Sequence, residues 1–262
     1  MNQKATNAAK KIIPEGIRIF FRRVNWKWQY FVQTTLQTPT GKSVYCPIAK
    51  QEFKAYAKIG NALITPSNGA RGRQRLVWHY LEHDQKIFSK KISLLHTAPE
   101  LSFFKIFKNA ANIDYTAGDK MMDGYSNQSG ILNIDLTDLK FEDSKFDYLL
   151  SNHVLEHIPD DKKAMSEIYR VLKPGGTAVI TVPINETFTE TYENPNVKTA
   201  EERIKHFGQW DHVRWYSTDI KERLEAVGFE VELVRYANQF STEDFNKFGF
   251  KNNIIVRATR PA

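Results

Sequence analysis

A handful of side chains in this sequence have the types and the placement to do chemistry. Asn152 and His153 follow an apolar run at 146–151, and Asp119 follows another at 112–118. His212 lies in a long polar stretch, 184–216, with Tyr192 and Arg214. Histidine exchanges a proton near neutrality, which makes His153 and His212 candidates for a general base. A carboxylate such as Asp119 can accept both hydrogen bonds of a vicinal diol. Arg214 offers a forked donor suited to a carboxylate or phosphate of a substrate, with Tyr192 in the same stretch. Each also has a plainer reading: His153 as a neutral histidine bonded to backbone, Asp119 as a turn residue beside Gly118, Arg214 as an exposed partner of Glu201 or Glu202.

Such residues need elements to present them. The run 146–151 is entered through polar residues and left through Asn152, the pattern of a strand buried on both faces. Pro159 and Asp160 then stand at a helix start, and Ala164, Met165, Ile168, Val171 and Leu172 recur on one face. Residues 173–176, Lys-Pro-Gly-Gly, stop that helix, and the β-branched run 177–182 follows as a second buried strand. A strand, crossover helix and strand in this order form a right-handed parallel unit, and ligands bind beyond the carboxyl ends of such strands. Asn152, His153 and Pro183 therefore belong at the mouth of a site. Further strands are expected at 91–95, 112–118, 131–134, 231–234 and 254–258. Helices are expected at 101–111, with Leu101, Phe104 and Phe107 facing inward, and from a Ser217 cap to 226.

Three segments carry a family likeness: FDYLLSNHVLEHI at 146–158, YRVLKPGG at 169–176, and Asp135-Leu136-Thr137-Asp138-Leu139-Lys140-Phe141. In this order and spacing they resemble the class I S-adenosylmethionine-dependent methyltransferases, in the branch that includes quinone-biosynthesis enzymes. The resemblance implies an α/β fold, a Rossmann-like, mostly parallel sheet whose last strand inserts antiparallel. It implies S-adenosyl-L-methionine as cofactor, with Asp119 on the ribose, Asp135 and the Leu136 N–H on the adenine, and Asn152 nearby. It also exposes a departure. Where the family follows its first strand with an acid and a glycine-rich turn, this chain has His96-Thr97-Ala98-Pro99-Glu100. His96 takes the place of the acid, Ala98 that of the first glycine and Glu100 that of the second. His96, Ala98, Pro99 and Glu100 are accordingly assigned to the cofactor, Glu100 toward its ammonium or sulfonium. Glu156 and His157 read as loop-bracing residues. A metal set of His206, Asp211 and His212 can be drawn, but methyl transfer requires none, and no metal is expected. The acceptor implied is a small molecule, methylated on oxygen, nitrogen or carboxylate. The competing reading is a non-catalytic scaffold that keeps the sheet without turnover. A nicotinamide-dependent oxidoreductase would need a G-x-G-x-x-G turn after the first strand, which is missing.

At 262 residues the chain has room for this domain, assigned to 82–262, and a small α+β appendage at 1–81. Apolar residues at 13, 17, 20, 21 and 24 share a helical face among lysines and arginines. That helix either packs its stripe on the domain or, through residues 10–24, touches an anionic membrane surface weakly. Trp26, Trp28, Tyr30 and Val32 alternate with polar residues, as in a half-exposed strand. Residues 45–81 resemble the zinc ribbon of related methyltransferases with its knuckles at Cys46, Ala49, Thr65 and Asn68. One cysteine cannot supply a four-ligand site, so packing is expected to hold the hairpins. Arg71, Arg73 and Arg75 read either as an anion contact or, the favoured reading, as a solvated turn before a helix at 76–81. A net charge of +7 favours anionic neighbours, though no nucleic acid is expected as a partner. The lone Cys46 and the lack of a membrane-length apolar stretch point to a soluble cytoplasmic protein.

Overall fold

Apolar runs separated by polar turns dictate a sheet with helices on both faces, and the register of that sheet decides which residues meet. The computed structural model describes residues 43–120 and 130–262, with Trp28 and Phe31. In chain order the elements are strands β1 (Val44–Cys46), β2 (Gln51–Phe53), β3 (Ala57–Ile59) and β4 (Ala62–Ile64), then helix α1 (Gly72–His79). Strand β5 (Ile92–Thr97), helix α2 (Leu101–Lys108), β6 (Ile113–Asp119), β7 (Leu132–Asn133) and β8 (Phe146–Asn152) follow. Helix α3 (Asp161–Val171), β9 (Leu172–Thr181), β10 (Tyr192–Glu193), α4 (Ala200–Phe207) and β11 (Arg214–Trp215) come next. The chain closes with α5 (Ile220–Glu225), β12 (Glu230–Val234), α6 (Thr242–Phe248) and β13 (Ile255–Thr259).

Seven strands form one sheet in the order β12-β13-β9-β8-β5-β6-β7. The strands from β9 to β7 pair in parallel, while β13 runs antiparallel between β12 and β9. This is the expected sheet, last strand included. Thr97 of β5 lies level with Gly118 of β6 and with Ser151 of β8. The next residue of each strand, Ala98, Asp119 and Asn152, therefore emerges along one edge. Neighbouring residues of a strand alternate faces, and so Leu94 and Leu95 enter two different cores. One core is aromatic: the Trp78 ring meets Phe103 at 5.2 Å and Phe107 at 5.4 Å. Each such pair contributes about 1 kcal/mol beyond the area it buries. The inward face of α2 thus carries Phe103 and Phe107, while Leu101, expected inside, is exposed on the first turn and Phe104 is half-buried.

The helix α3 opens at Asp160, whose side chain accepts from the Lys163 N–H at 3.0 Å. Its stripe of Ala164, Met165, Ile168 and Val171 is fully buried. Ser217 does not cap α5; its hydroxyl donates instead to the Phe188 carbonyl at 2.5 Å, which ties the loop to the helix.

Two hairpins, β1–β2 and β3–β4, occupy the zinc-ribbon-like segment. Cys46 Sγ accepts from the Thr65 hydroxyl at 3.2 Å and from the Ala49 N–H at 3.4 Å, so three of the four knuckle positions converge. The arginines do not form a solvated turn. Arg73 and Arg75 lie within α1, and Arg75 is wholly buried. Its guanidinium donates to the carbonyls of Leu63, Ala70, Phe248 and Gly249 and to the Thr65 hydroxyl, and sits 3.9 Å from the centre of the Tyr56 ring. One planar cation thereby joins the hairpins to the end of α6. Close by, Gly72 touches backbone directly: a Cβ there would lie 2.7 Å from Gly249 O and 2.9 Å from Lys251 N.

The basic helix expected at 13–24 lies outside the described residues. Trp28 and Phe31 are helical with rings stacked at 5.9 Å, so at these positions the expected alternating strand gives way to the i, i+3 neighbours of a helix. No helix among the described residues is long and apolar enough to cross a membrane.

Candidate active site

The edge formed by Ala98, Asp119 and Asn152 is the first half of the site. Ala98 has φ +47 and donates its N–H to Gly118 O at 2.8 Å, so the turn after β5 takes the left-handed conformation that glycine adopts freely. In alanine that conformation costs about 1–2 kcal/mol. Pro99 follows, and Glu100 opens α2. His96 differs from expectation. It is fully buried beside Phe103 and Phe107, with Nδ1 on the Tyr115 hydroxyl at 3.0 Å and Nε2 on Glu100 Oε2 at 2.8 Å. Both ring nitrogens are taken inside the core, so His96 orients Glu100 and does not itself face a ligand.

Asp119 ends β6, and its carbonyl accepts from the Ile134 N–H at 3.0 Å. Asp135 begins the next turn, accepting from the Thr137 N–H at 2.9 Å, the Thr137 hydroxyl at 2.7 Å and Lys120 Nζ at 2.8 Å. The Lys120 and Thr137 hydrogen bonds hold its carboxyl down at about 2. Leu136 is buried behind it. The turn is braced from α3, where Glu167 accepts from the Leu139 N–H and Arg170 donates to the carbonyls of Leu139 and Phe141. Asn152 is nine-tenths buried; its Oδ1 accepts from the Thr181 hydroxyl at 2.9 Å, while its Nδ2 is buried with no partner among the described residues. A donor left unsatisfied at a strand end costs free energy unless a ligand accepts from it.

The second half is a cavity of about 360 Å³ at the mouth of β8 and β9, with Arg73, His153, Glu156, His157, Gln209 and His212 in its wall. His153 stands in a left-handed conformation, φ +56, its N–H donating to Thr181 O at 2.7 Å. Its Nδ1 meets Glu156 Oε1 at 3.1 Å, and its Nε2 is buried without a partner among the described residues. A carboxylate on Nδ1 fixes the tautomer that leaves the Nε2 lone pair available. His212 is also buried, with Nδ1 on the Phe207 carbonyl at 3.2 Å, and burial pushes its imidazole below the ordinary histidine range. Glu156 lies between the two histidines and is 1% exposed. Backbone joins the segments, since the Val213 N–H donates to Glu156 O at 2.9 Å.

Two expected substrate residues are elsewhere. Arg214 is 3% exposed and donates to the carbonyls of Leu155, Ile158 and Pro159 and to Glu193. It holds the loop between β8 and α3 and has no face for a substrate. The Tyr192 hydroxyl meets His206 Nδ1 at 2.7 Å, and the ring packs on Phe207 and stays out of the cavity wall. His206 is thus drawn away from the metal set sketched for it with Asp211 and His212. Sequence reading set Arg73 aside as a turn residue and missed the stretch from Lys251 to Asn253, both of which reach the same cavity from far along the chain. Only the tertiary seam at Arg75 brings them there, and no local pattern signals it.

Residues 98–180 match the family profile of a methyltransferase domain. Over that span the chain carries a methyltransferase domain. Phosphoethanolamine N-methyltransferase 2 of Caenorhabditis elegans is 51% identical over 43 residues, 16% of this chain and 10% of that protein. A sterol 24-C-methyltransferase of Neurospora crassa is 26% identical over 170 residues, 63% of this chain and 39% of its own. The demethylmenaquinone methyltransferase of Staphylococcus carnosus is 40% identical over 72 residues, 28% of this chain and 23% of that one. The chain thus spans well under half the length of these curated relatives. The methyltransferase domain fits its cofactor on two counts: the turn at Ala98 keeps a glycine-like backbone, and the orphaned Asn152 Nδ2 points a donor at the strand ends.

Proposed function

We propose that the chain methylates a small-molecule acceptor on oxygen, nitrogen or carboxylate, with the cofactor held across the ends of β5, β6 and β8 and the acceptor in the cavity around His153. Bound there, S-adenosylmethionine supplies an activated methyl group on its sulfonium. Asp119 would take the ribose diol, Asp135 and the Leu136 N–H the adenine, Asn152 an acceptor group beside them, and the Ala98–Pro99 turn with Glu100 the amino-acid end. The observation that carries this reading is the register that lines up Ala98, Asp119 and Asn152 on one edge, next to a polar cavity. His153 is the base assigned to a hydroxyl acceptor: its Nε2 faces no competing partner, and Glu156 stabilises the imidazolium that forms. His212 is the other assigned proton acceptor, a role open to it only while no ion occupies its one free lone pair. An amine or carboxylate acceptor asks less of either, because positioning alone supplies much of the rate. The named activities of the three relatives, each on a small molecule, support a small-molecule acceptor, though not a single atom, since the sterol enzyme is named for methylating carbon.

Calorimetry with S-adenosylhomocysteine tests the cofactor half. Asp119→Ala and Asp135→Ala are each expected to weaken binding roughly 10- to 100-fold, the worth of a charge-assisted hydrogen bond. Equal affinity in both variants, or no heat with wild type at millimolar ligand, would favour a scaffold over an enzyme.

A further inference from the structure

We propose that Glu156, His157 and His212 bind a divalent transition-metal ion, Zn²⁺ or its Fe²⁺ and Co²⁺ relatives, with an open coordination position for an oxygen of the acceptor. One ligand atom of each residue lies within 4.8 Å of the other two. Each is prepared for such a bond. The His157 Nδ1 sits 3.2 Å from the Asp211 carbonyl and the His212 Nδ1 3.2 Å from the Phe207 carbonyl. Donating there fixes both tautomers with the Nε2 lone pair free, the arrangement that orients histidine ligands on metals. His153 engages Glu156 Oε1, and Oε2 of the same carboxylate is buried with no partner among the described residues. An orphaned carboxylate oxygen in a site this dry is costly without a cation.

Two imidazoles and one carboxylate are the donor set of three-ligand catalytic metal sites, and imidazole selects transition metals over Mg²⁺ or Ca²⁺. Ligand atoms around a Zn²⁺ at about 2.0–2.1 Å stand roughly 3.4 Å apart, so the three groups close by about an ångström on loading. Small rotations suffice, because Glu156 and His157 share one short turn at Leu155–His157 and the Val213 N–H pins His212's loop to Glu156. All three line the cavity that also holds Arg73, so an ion there would make it a cationic pocket for an oxygen-bearing, anionic acceptor.

The test uses the full chain, stripped with a chelator and titrated with Co²⁺, and needs neither cofactor nor methyl transfer. It therefore stands apart from the proposed activity. One equivalent of Co²⁺ is expected to give visible d–d absorption that Zn²⁺ abolishes and equimolar Mg²⁺ does not. His157→Ala and the near-isosteric Glu156→Gln should each weaken Co²⁺ at least 10- to 100-fold with melting temperature monitored alongside. His83→Ala, an exposed histidine far along the chain, should change nothing. Absent d–d bands in wild type, undiminished binding in both Glu156→Gln and His157→Ala, or displacement by equimolar Mg²⁺ would each overturn the proposal.

Discussion

Ala98 holds a backbone conformation that suits glycine, in the turn nearest the proposed cofactor. Ala98→Gly removes about 1–2 kcal/mol of left-handed strain and returns about 0.4–1 kcal/mol of unfolded-chain entropy. A net gain of about 1 kcal/mol is expected, a melting temperature about 2–4 °C higher in a scanning-calorimetry trace. A lower melting temperature would mean that the alanine methyl makes a compensating contact. His153→Asn is expected to lower kcat about 100- to 10,000-fold on a hydroxyl acceptor while S-adenosylhomocysteine affinity stays within about twofold. Loss of both together would make His153 a positioning residue for the cofactor. Asp119 and Asn152 were legible in the sequence because a strand end is a position that local pattern defines. His96 was not, since its burial depends on Tyr115 and the phenylalanines of α2 closing over it. Glu156 read as a brace, and the distance to His212 that gives it another role is purely tertiary.

At the scale of elements, the hairpin β10–β11 is fastened by Arg214, which feeds three carbonyls of the loop between β8 and α3 while near Asp161 and Glu193. Removing it strands buried acceptors, though Asp161 keeps Arg223. Arg214→Ala is expected to cost about 3 kcal/mol in urea denaturation, and Arg214→Lys to recover little, because an ammonium cannot reproduce the planar fork. A cost below about 1 kcal/mol would show that water reaches those carbonyls. The sheet strands and α3 fall within a few residues of their sequence-based bounds, since burial on both faces or one stripe writes itself into the residue pattern. Strand β9 starts earlier than expected, at Leu172, because Leu172 pairs with Phe146; the Lys-Pro-Gly-Gly segment then bulges out before pairing resumes between Tyr148 and Thr177. The polar stretch 184–216 carries no such pattern, and its helix α4 and hairpin stayed invisible. Even so, α4 is announced locally by the Thr199–Glu202 capping box, a signal available in the sequence and passed over.

For the molecule as a whole, acid sensitivity centres on His79 at the end of α1. Its Nδ1 meets the Tyr236 hydroxyl at 2.9 Å, and the rings of Phe240, Phe248 and Phe250 surround it. Burial pushes its imidazole down to about 4. Protonation therefore favours the unfolded chain: stability is complete above about pH 6.5 and is lost as pH falls toward 4, by about 1–2 kcal/mol because solvent at the half-buried ring screens part of the effect. Denaturation curves at pH 7 and pH 4.5 should show this slope in wild type and less of it in His79→Gln; equal slopes would assign the effect elsewhere. The same seam has a subtler reach at Gly72. A lone hydrogen there lets two main chains lie flush, and the chain that lies against it continues at once into Lys251, Asn252 and Asn253 on the rim of the pocket. Adding a single methyl group at position 72 would act as a wedge, tilting that rim outward from behind. Acceptor KM would rise while nucleoside affinity held, a lesion in substrate fit caused by a residue that no substrate meets.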